Sequence, residues 1–234
     1  MRVDLNDFIK YIDRSNLGFN DITKARNIIK YIQENIQPIY LTNRNAHGWD
    51  HIEDVLIDAK HIFYDLYDSG IQNDGTLNEI NLVLAVVYHD ISLSKNGFRE
   101  THAEDSAEIF RNDEYIKSVL DEKSINDIYN AILLHRASSG AQHRSLLGKI
   151  LYQADRCFYS CTPLTTFKRS FMFNKSENPD LPHISISKLT IDHLVNKYGN
   201  YGYAYNDLFL PKSAMKYKEA MKEFIEVAKL LLGN

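Results

Sequence analysis

The sequence predicts an all-α protein on three observations. Proline is rare, five in 234 residues, so few positions forbid a helix. Strand-like alternation of apolar and polar residues is scarce. Apolar residues recur instead at helical spacing, most cleanly at Ile52, Val55, Leu56, Ala59, Ile62, Phe63 and Leu66.

From the N-terminus, residues 3–14 and 21–36 read as amphipathic helices, with Asp21 as N-cap of the second. Pro38 and the polar run Thr42 to Asn45 mark a loop. The striped segment makes a helix over 49–68, ended by Ser69 and Gly70. After a loop from Ile71 to Gly75, Thr76 to Glu79 reads as a capping box. It opens a helix that is apolar all round through Leu82 to Val87, the pattern of a buried helix. A polar loop from Ser92 to Arg99 precedes helices at 101–111 and 114–120. Ser124 to Asp127 resembles a second capping box, leading into Ile128, Ala131, Ile132 and His135, with Ser138 to Gly140 as the stop. Residues 145–158 form the next helix, with Leu146, Leu147, Ile150, Leu151 and Ala154 inward. Prolines 163, 179 and 182 make Ser160 to His183 read as irregular. Two helices, 185–198 and 212–232, complete the chain, and the tyrosines between Tyr198 and Tyr205 read as packing at their junction. No shift in composition divides the chain, so residues 1–234 are expected to form a single domain.

Composition excludes some functions. With 27 basic and 31 acidic residues, the net charge of −4 argues against a nucleic-acid backbone as main partner. It leaves a small anionic substrate open, because bound cations dominate a local field. No run of 18 apolar residues offers a membrane span. The N-terminal stretch carries acids, unlike a signal peptide. Cys157 and Cys161 read as reduced thiols at or near the core of a cytoplasmic protein.

Candidate chemistry gathers at histidines and aspartates. His89 and Asp90 end the buried helix, where an ionised carboxylate is costly unless something compensates it. A metal ion would do so, and other ligand-type residues stand in matching contexts. His51 lies at the edge of the 49–68 stripe, His102 in the first turn of 101–111, His135 on the inner face of its helix and Asp155 beside the inner face of 145–158. Imidazole with carboxylate suits Mn, Fe, Mg, Ni or Zn rather than a soft, thiolate-bound metal. His61, His143, His183 and His193 read as structural or surface residues.

These segments, in this order, resemble the HD-domain superfamily of metal-dependent phosphohydrolases. HGWDHIEDVL is similar to the opening histidine motif, AVVYHDI to the HD motif, ETHAEDSAEIF and AILLHR to the two further histidine segments of two-metal members, and LGKILYQADR to the closing aspartate motif. The resemblance covers roughly residues 30–160 and implies a helical bundle with the metal site between its core helices. It implies that His51, His89, Asp90 and Asp155 hold one divalent metal, and that His102 and His135, with Asp90 bridging, hold a second. It implies that His47 protonates the leaving group while a metal-activated water attacks phosphorus. The sequence departs from the pattern in two places: no tyrosine precedes His47, and the lysine that often follows the HD motif is displaced to Lys95. The Gly-Tyr-Pro extension of cyclic-di-GMP hydrolases is absent.

The resulting expectation is hydrolysis of a small phosphate-containing substrate such as a nucleotide, with Asp90 and His47 catalytic. Lys95, Arg144, Lys149, Arg156 and the basic stretch 168–175 are candidates for holding phosphate. Two alternatives stand beside it: a di-iron HD-domain oxygenase, which uses the same six ligands, and a non-catalytic ligand sensor.

Overall fold

The computed structural model describes residues 19–42, 47–68, 77–95, 97–136, 144–210 and 212–232. The expected helix at 3–14, most of the loops at 42–45 and 71–75 and the stop at 138–140 lie outside these residues. All regular structure among the described residues is helical.

Helix α1 (Phe19–Tyr31) does not end before Pro38. It continues through a π-helical turn (Ile32–Ile36) into α2 (Gln37–Leu41). The π turn bonds Gln37 N–H to the Ile32 carbonyl. That resets the ladder, so Pro38 falls in the first turn of α2, where a missing N–H costs little. The reward is the position of Tyr40, which is buried and donates its hydroxyl to the Val87 carbonyl at 2.7 Å.

Helix α3 (Trp49–Asp68) matches its apolar stripe. Helix α4 (Glu79–Tyr88) is capped by Asn78, whose side chain accepts from the Asn81 N–H; Thr76, the start of the expected capping box, lies outside the described residues. The short α5 (Ile91–Ser94) follows, then α6 (His102–Arg111), α7 (Glu114–Val119) and α8 (Glu122–Leu133). The cap of α8 is Asp121, not Ser124; Ser124 instead supplies the N–H that Asp121 accepts. Helix α9 (Leu146–Ala154) stops four residues before the expected end. Residues 155–158 form a turn in which Cys157 takes a left-handed φ of 55°, so Cys157 and Cys161 do not share a helix face.

The largest departure from expectation is α10 (Pro163–Glu177), in the stretch read as irregular. Thr162 caps it and Pro163 is its first residue, where proline favours a helix rather than breaking one. Pro179 and Pro182 fall beyond its end. Helices α11 (His183–Tyr198) and α12 (Lys212–Leu232) complete the chain. At their junction a Cβ on Gly199 or Gly202 would collide with the backbone of Val195 or Lys197, so only glycine fits there.

Helix α4 is the axis. Every side chain from Leu82 to Tyr88 is buried, against α3, α6, α8 and α9. Each large aliphatic residue so placed contributes about 1.5–3 kcal/mol of transfer free energy. Helices α10, α11 and α12 pack on one another as a second layer. Gln153 of α9 joins the layers by exchanging two hydrogen bonds with the Leu210 backbone, and Phe158 adds ring contacts to Tyr205 and Tyr217. No described helix is long and apolar enough to cross a membrane.

Asp113 ties α1, α4 and α7 together. Its Oδ2 accepts the hydroxyls of Tyr31 and Tyr88 at 2.6 and 2.7 Å, and its Oδ1 caps α7 through Ile116 N–H. Asp113→Ala removes the cap and leaves two half-buried hydroxyls without their acceptor. Denaturant unfolding should show a loss of about 2–3 kcal/mol. A loss below about 0.5 kcal/mol, the range of neutral surface changes, would contradict this role.

Candidate metal centre

Five elements bring ligand-type side chains to one point. His51 comes from the first turn of α3, His89 and Asp90 from the end of α4, His102 from the start of α6, His135 from just beyond α8, and Asp155 from the C-cap of α9. Asp90 lies at their centre, 1% exposed. Its Oδ2 is 3.3 Å from His89 Nε2 and 3.5 Å from His51 Nε2; the same two nitrogens lie 3.5 and 3.3 Å from Asp155 Oδ1. Its Oδ1 is 3.4 Å from His102 Nε2 and 3.6 Å from His135 Nε2. The two carboxylate oxygens thus serve different histidine pairs.

These separations are those of ligands around an ion. Donor atoms about 2.0–2.2 Å from a shared metal lie about 3.0–3.5 Å from each other. His51 Nε2, His89 Nε2 and Asp90 Oδ1 are fully buried and make no hydrogen bond. Orphaned buried polar atoms carry a desolvation penalty, and three of them converging is what a cation would relieve. The donors form two sets that could each hold an ion: His51, His89, Asp90 and Asp155, and Asp90, His102 and His135.

The backbone fixes the tautomers. Nδ1 of His89, His102 and His135 lies 2.6–2.7 Å from the carbonyls of Val86, Arg99 and Ile132 respectively, so each ring donates there and Nε2 is the nitrogen aimed inward. His51 has instead Cys157 Sγ at 3.9 Å from its Nδ1. The turn that carries Asp155 is pinned by Asp58 of α3, which is buried and accepts the N–H groups of Tyr159 and Ser160, both at 2.9 Å. Burial pushes the Asp58 carboxyl up to about 6, against the pull of those two bonds.

His47 lies just before α3 rather than within it. Its Nδ1 is 2.7 Å from Asp90 Oδ2, the shortest contact that carboxylate makes. His47 also lines an open cleft of about 870 Å³ that reaches the centre at His51 and Asp155.

Of the expected phosphate-holding residues, Arg156 and Arg169 line this cleft. Lys95 is exposed at the end of α5. Arg144 donates to the Leu134 carbonyl and stacks on Tyr152, while Lys149 lies over Phe209, so both serve packing around α9. In the basic stretch, Arg169 lines the cleft but is ion-paired to Asp54 at 2.5 Å. Lys175 donates to the Pro179 and Leu181 carbonyls. His61 stacks on Tyr159 and His183 meets the edge of Phe171, while His143 lies outside the described residues. His193 is not a mere surface residue: it lines the cleft, as do Arg99, Phe173 and Lys197. Sequence reading missed these four because α10 and α11 bring three of them to the site, and α10 itself was not foreseen.

Electrostatics sets the conditions for loading. Burial alone would push the His51 and His89 imidazoles down. The adjacent Asp90 and Asp155 carboxylates outweigh it and hold both up. The metal-free protein therefore keeps these rings protonated at a higher pH than free histidine, and an entering cation must expel those protons. Calorimetric metal titration near neutral pH, in two buffers of different ionisation heat, should show net proton release, with affinity falling as the pH is lowered. Binding without proton release would contradict the ligand set.

Comparison with known families agrees with this geometry. No curated protein and no solved structure matches the chain. Residues 48–159 match the HD domain. The segment contains all six ligand-type residues, with His47 one position outside it and α10 to α12 beyond it. Over residues 48–159, just under half of the chain, the sequence is that of an HD domain.

Proposed function

We propose that the protein is a phosphohydrolase that uses two divalent metal ions to cleave a nucleotide or another small phosphate ester. The HD-domain match supports the broader class of metal-dependent hydrolases. The observation that carries the finer reading is the division of Asp90: one oxygen for the His51–His89 pair, the other for His102–His135. A carboxylate so shared is suited to bridge two ions, the arrangement that clamps both oxygens of an in-line displacement at phosphorus.

Bound metal supplies the Lewis acid and activates water near neutral pH. The chain's own residues do the rest. The buried ligand shell excludes bulk water behind the reacting phosphate, which strengthens every charge interaction there. Asp90 engages His47 through Nδ1, so the proton that His47 can pass to a leaving oxygen is the one on Nε2. Arg156 offers a cation directly after the ligand Asp155. The same six ligands would also suit a di-iron oxygenase, and the experiment must separate the two.

The test is a panel of nucleotides and generic phosphoesters with Mn²⁺, Mg²⁺, Ni²⁺, Zn²⁺ or Fe²⁺, each with and without O₂. Phosphate or nucleotide release that is independent of O₂ is expected. O₂ consumption by the iron-loaded protein with no phosphate release under any condition would overturn the reading. Within the same panel, His47→Ala should lower turnover by about 10²–10⁴-fold while metal content holds. Loss of metal in that variant would make His47 a ligand instead.

A further inference from the structure

The cleft continues past the metal centre, and its far wall is built mostly outside the matched HD segment. Phe173 comes from α10, His193 and Lys197 from α11, and Arg99 from the loop before α6. Arg99 lies 4.8 Å from the Phe173 ring centroid. Arg99, Lys197 and Arg156 all line the cleft, and none has a carboxylate within ion-pair distance among the described residues. The remaining cation there, Arg169, is neutralised by Asp54.

Arg156 is the most telling of these groups. It is 2% exposed, donates Nη1 to the Tyr152 carbonyl and stacks 3.7 Å from the Tyr152 ring centroid. Its Nε and Nη2 are buried with no partner. A buried guanidinium with two idle donor atoms is costly unless an anion meets it. The field on the far wall has the same sign: burial, then Lys197 and Arg99, push the His193 imidazole down to about 4. His193 is thus neutral at physiological pH and adds no charge of its own.

We infer that Arg99, Lys197 and Arg156 form a second anion subsite, which selects substrates carrying a further phosphate beyond the one at the metal centre. Three uncompensated cations call for more than one negative charge. A phosphate, at about −1.5 to −2 with three acceptor oxygens, matches them better than a single carboxylate. Phe173 stands beside Arg99 as an apolar face for whatever joins the two phosphates. This inference rests on the phosphohydrolase reading for the identity of the reacting group, but the subsite can be tested without turnover.

The probes are inorganic orthophosphate and inorganic pyrophosphate, titrated by calorimetry into the metal-loaded protein. Orthophosphate offers one phosphate to the metal centre, and pyrophosphate adds a second that extends past it. Lys197→Gln and Arg99→Gln, both near the surface, should each weaken pyrophosphate about tenfold, as expected for loss of a charge-assisted hydrogen bond, and orthophosphate by less than about twofold. Bound metal and helical circular dichroism serve as controls. In hydrolysis, the wild type should favour a nucleoside bisphosphate or diphosphate over the monophosphate in kcat/KM. The two variants should erode that preference through KM. Equal weakening of both anions, or no weakening of either, would overturn the subsite. Selective loss of pyrophosphate in a protein that hydrolyses no phosphoester would uphold the subsite and remove the phosphohydrolase reading instead.

Discussion

A carboxylate sealed inside a helical core must be compensated, and the structure around Asp90 follows from that requirement. Helix α4 is apolar for the whole turn and a half before it, so neither water nor a surface counter-charge can reach Asp90 from behind. Burial would drive the carboxyl upward, yet the imidazoles of His89 and His47, the latter hydrogen-bonded to it, hold it well below the usual range. In the metal-free protein those rings share the role that a cation would fill. The site is therefore a stored electrostatic demand, held open by packing that cannot collapse without burying a naked charge.

The rest of the fold keeps that demand in register. Three histidines lend their Nδ1 protons to carbonyls near the ends of α4, α6 and α8, so helix termini decide which nitrogen faces the centre. Asp155 depends on a turn rather than a helix, and Asp58 reaches from α3 to hold that turn by two backbone N–H groups. Tyr40 joins the end of α2 to the Val87 carbonyl, one turn from the HD pair. Each contact is modest alone; together they restrict the ligands to one arrangement, which is what a metal centre needs for affinity.

Much of this was legible in the sequence. The helical periods of α3, α4 and α6 survive intact, because apolar stripes report packing directly. The meeting of His51, His89, Asp90, His102, His135 and Asp155 was anticipated through motif order, since each residue stands at a helix end or edge that faces the core. Proline was misread twice, at Pro38 and Pro163, both first-turn positions where its missing N–H is harmless. The second misreading hid α10 and with it the far wall of the cleft. Lys95, Arg144 and Lys149 were candidates for holding phosphate on charge alone, and charge carries no direction. Arg144 and Lys149 are turned to aromatic neighbours, Tyr152 and Phe209, which sequence spacing does not reveal.

The central claim is that one carboxylate organises two ion sites. Asp90→Asn tests it most directly, because the amide keeps the shape and removes the charge. Metal content should be measured on protein loaded and then passed through a desalting column, with circular dichroism to verify the fold and His102→Ala as comparison. The account predicts about two ions per chain in the wild type, about one in His102→Ala and almost none in folded Asp90→Asn. A folded Asp90→Asn variant that keeps the wild-type metal content would contradict it.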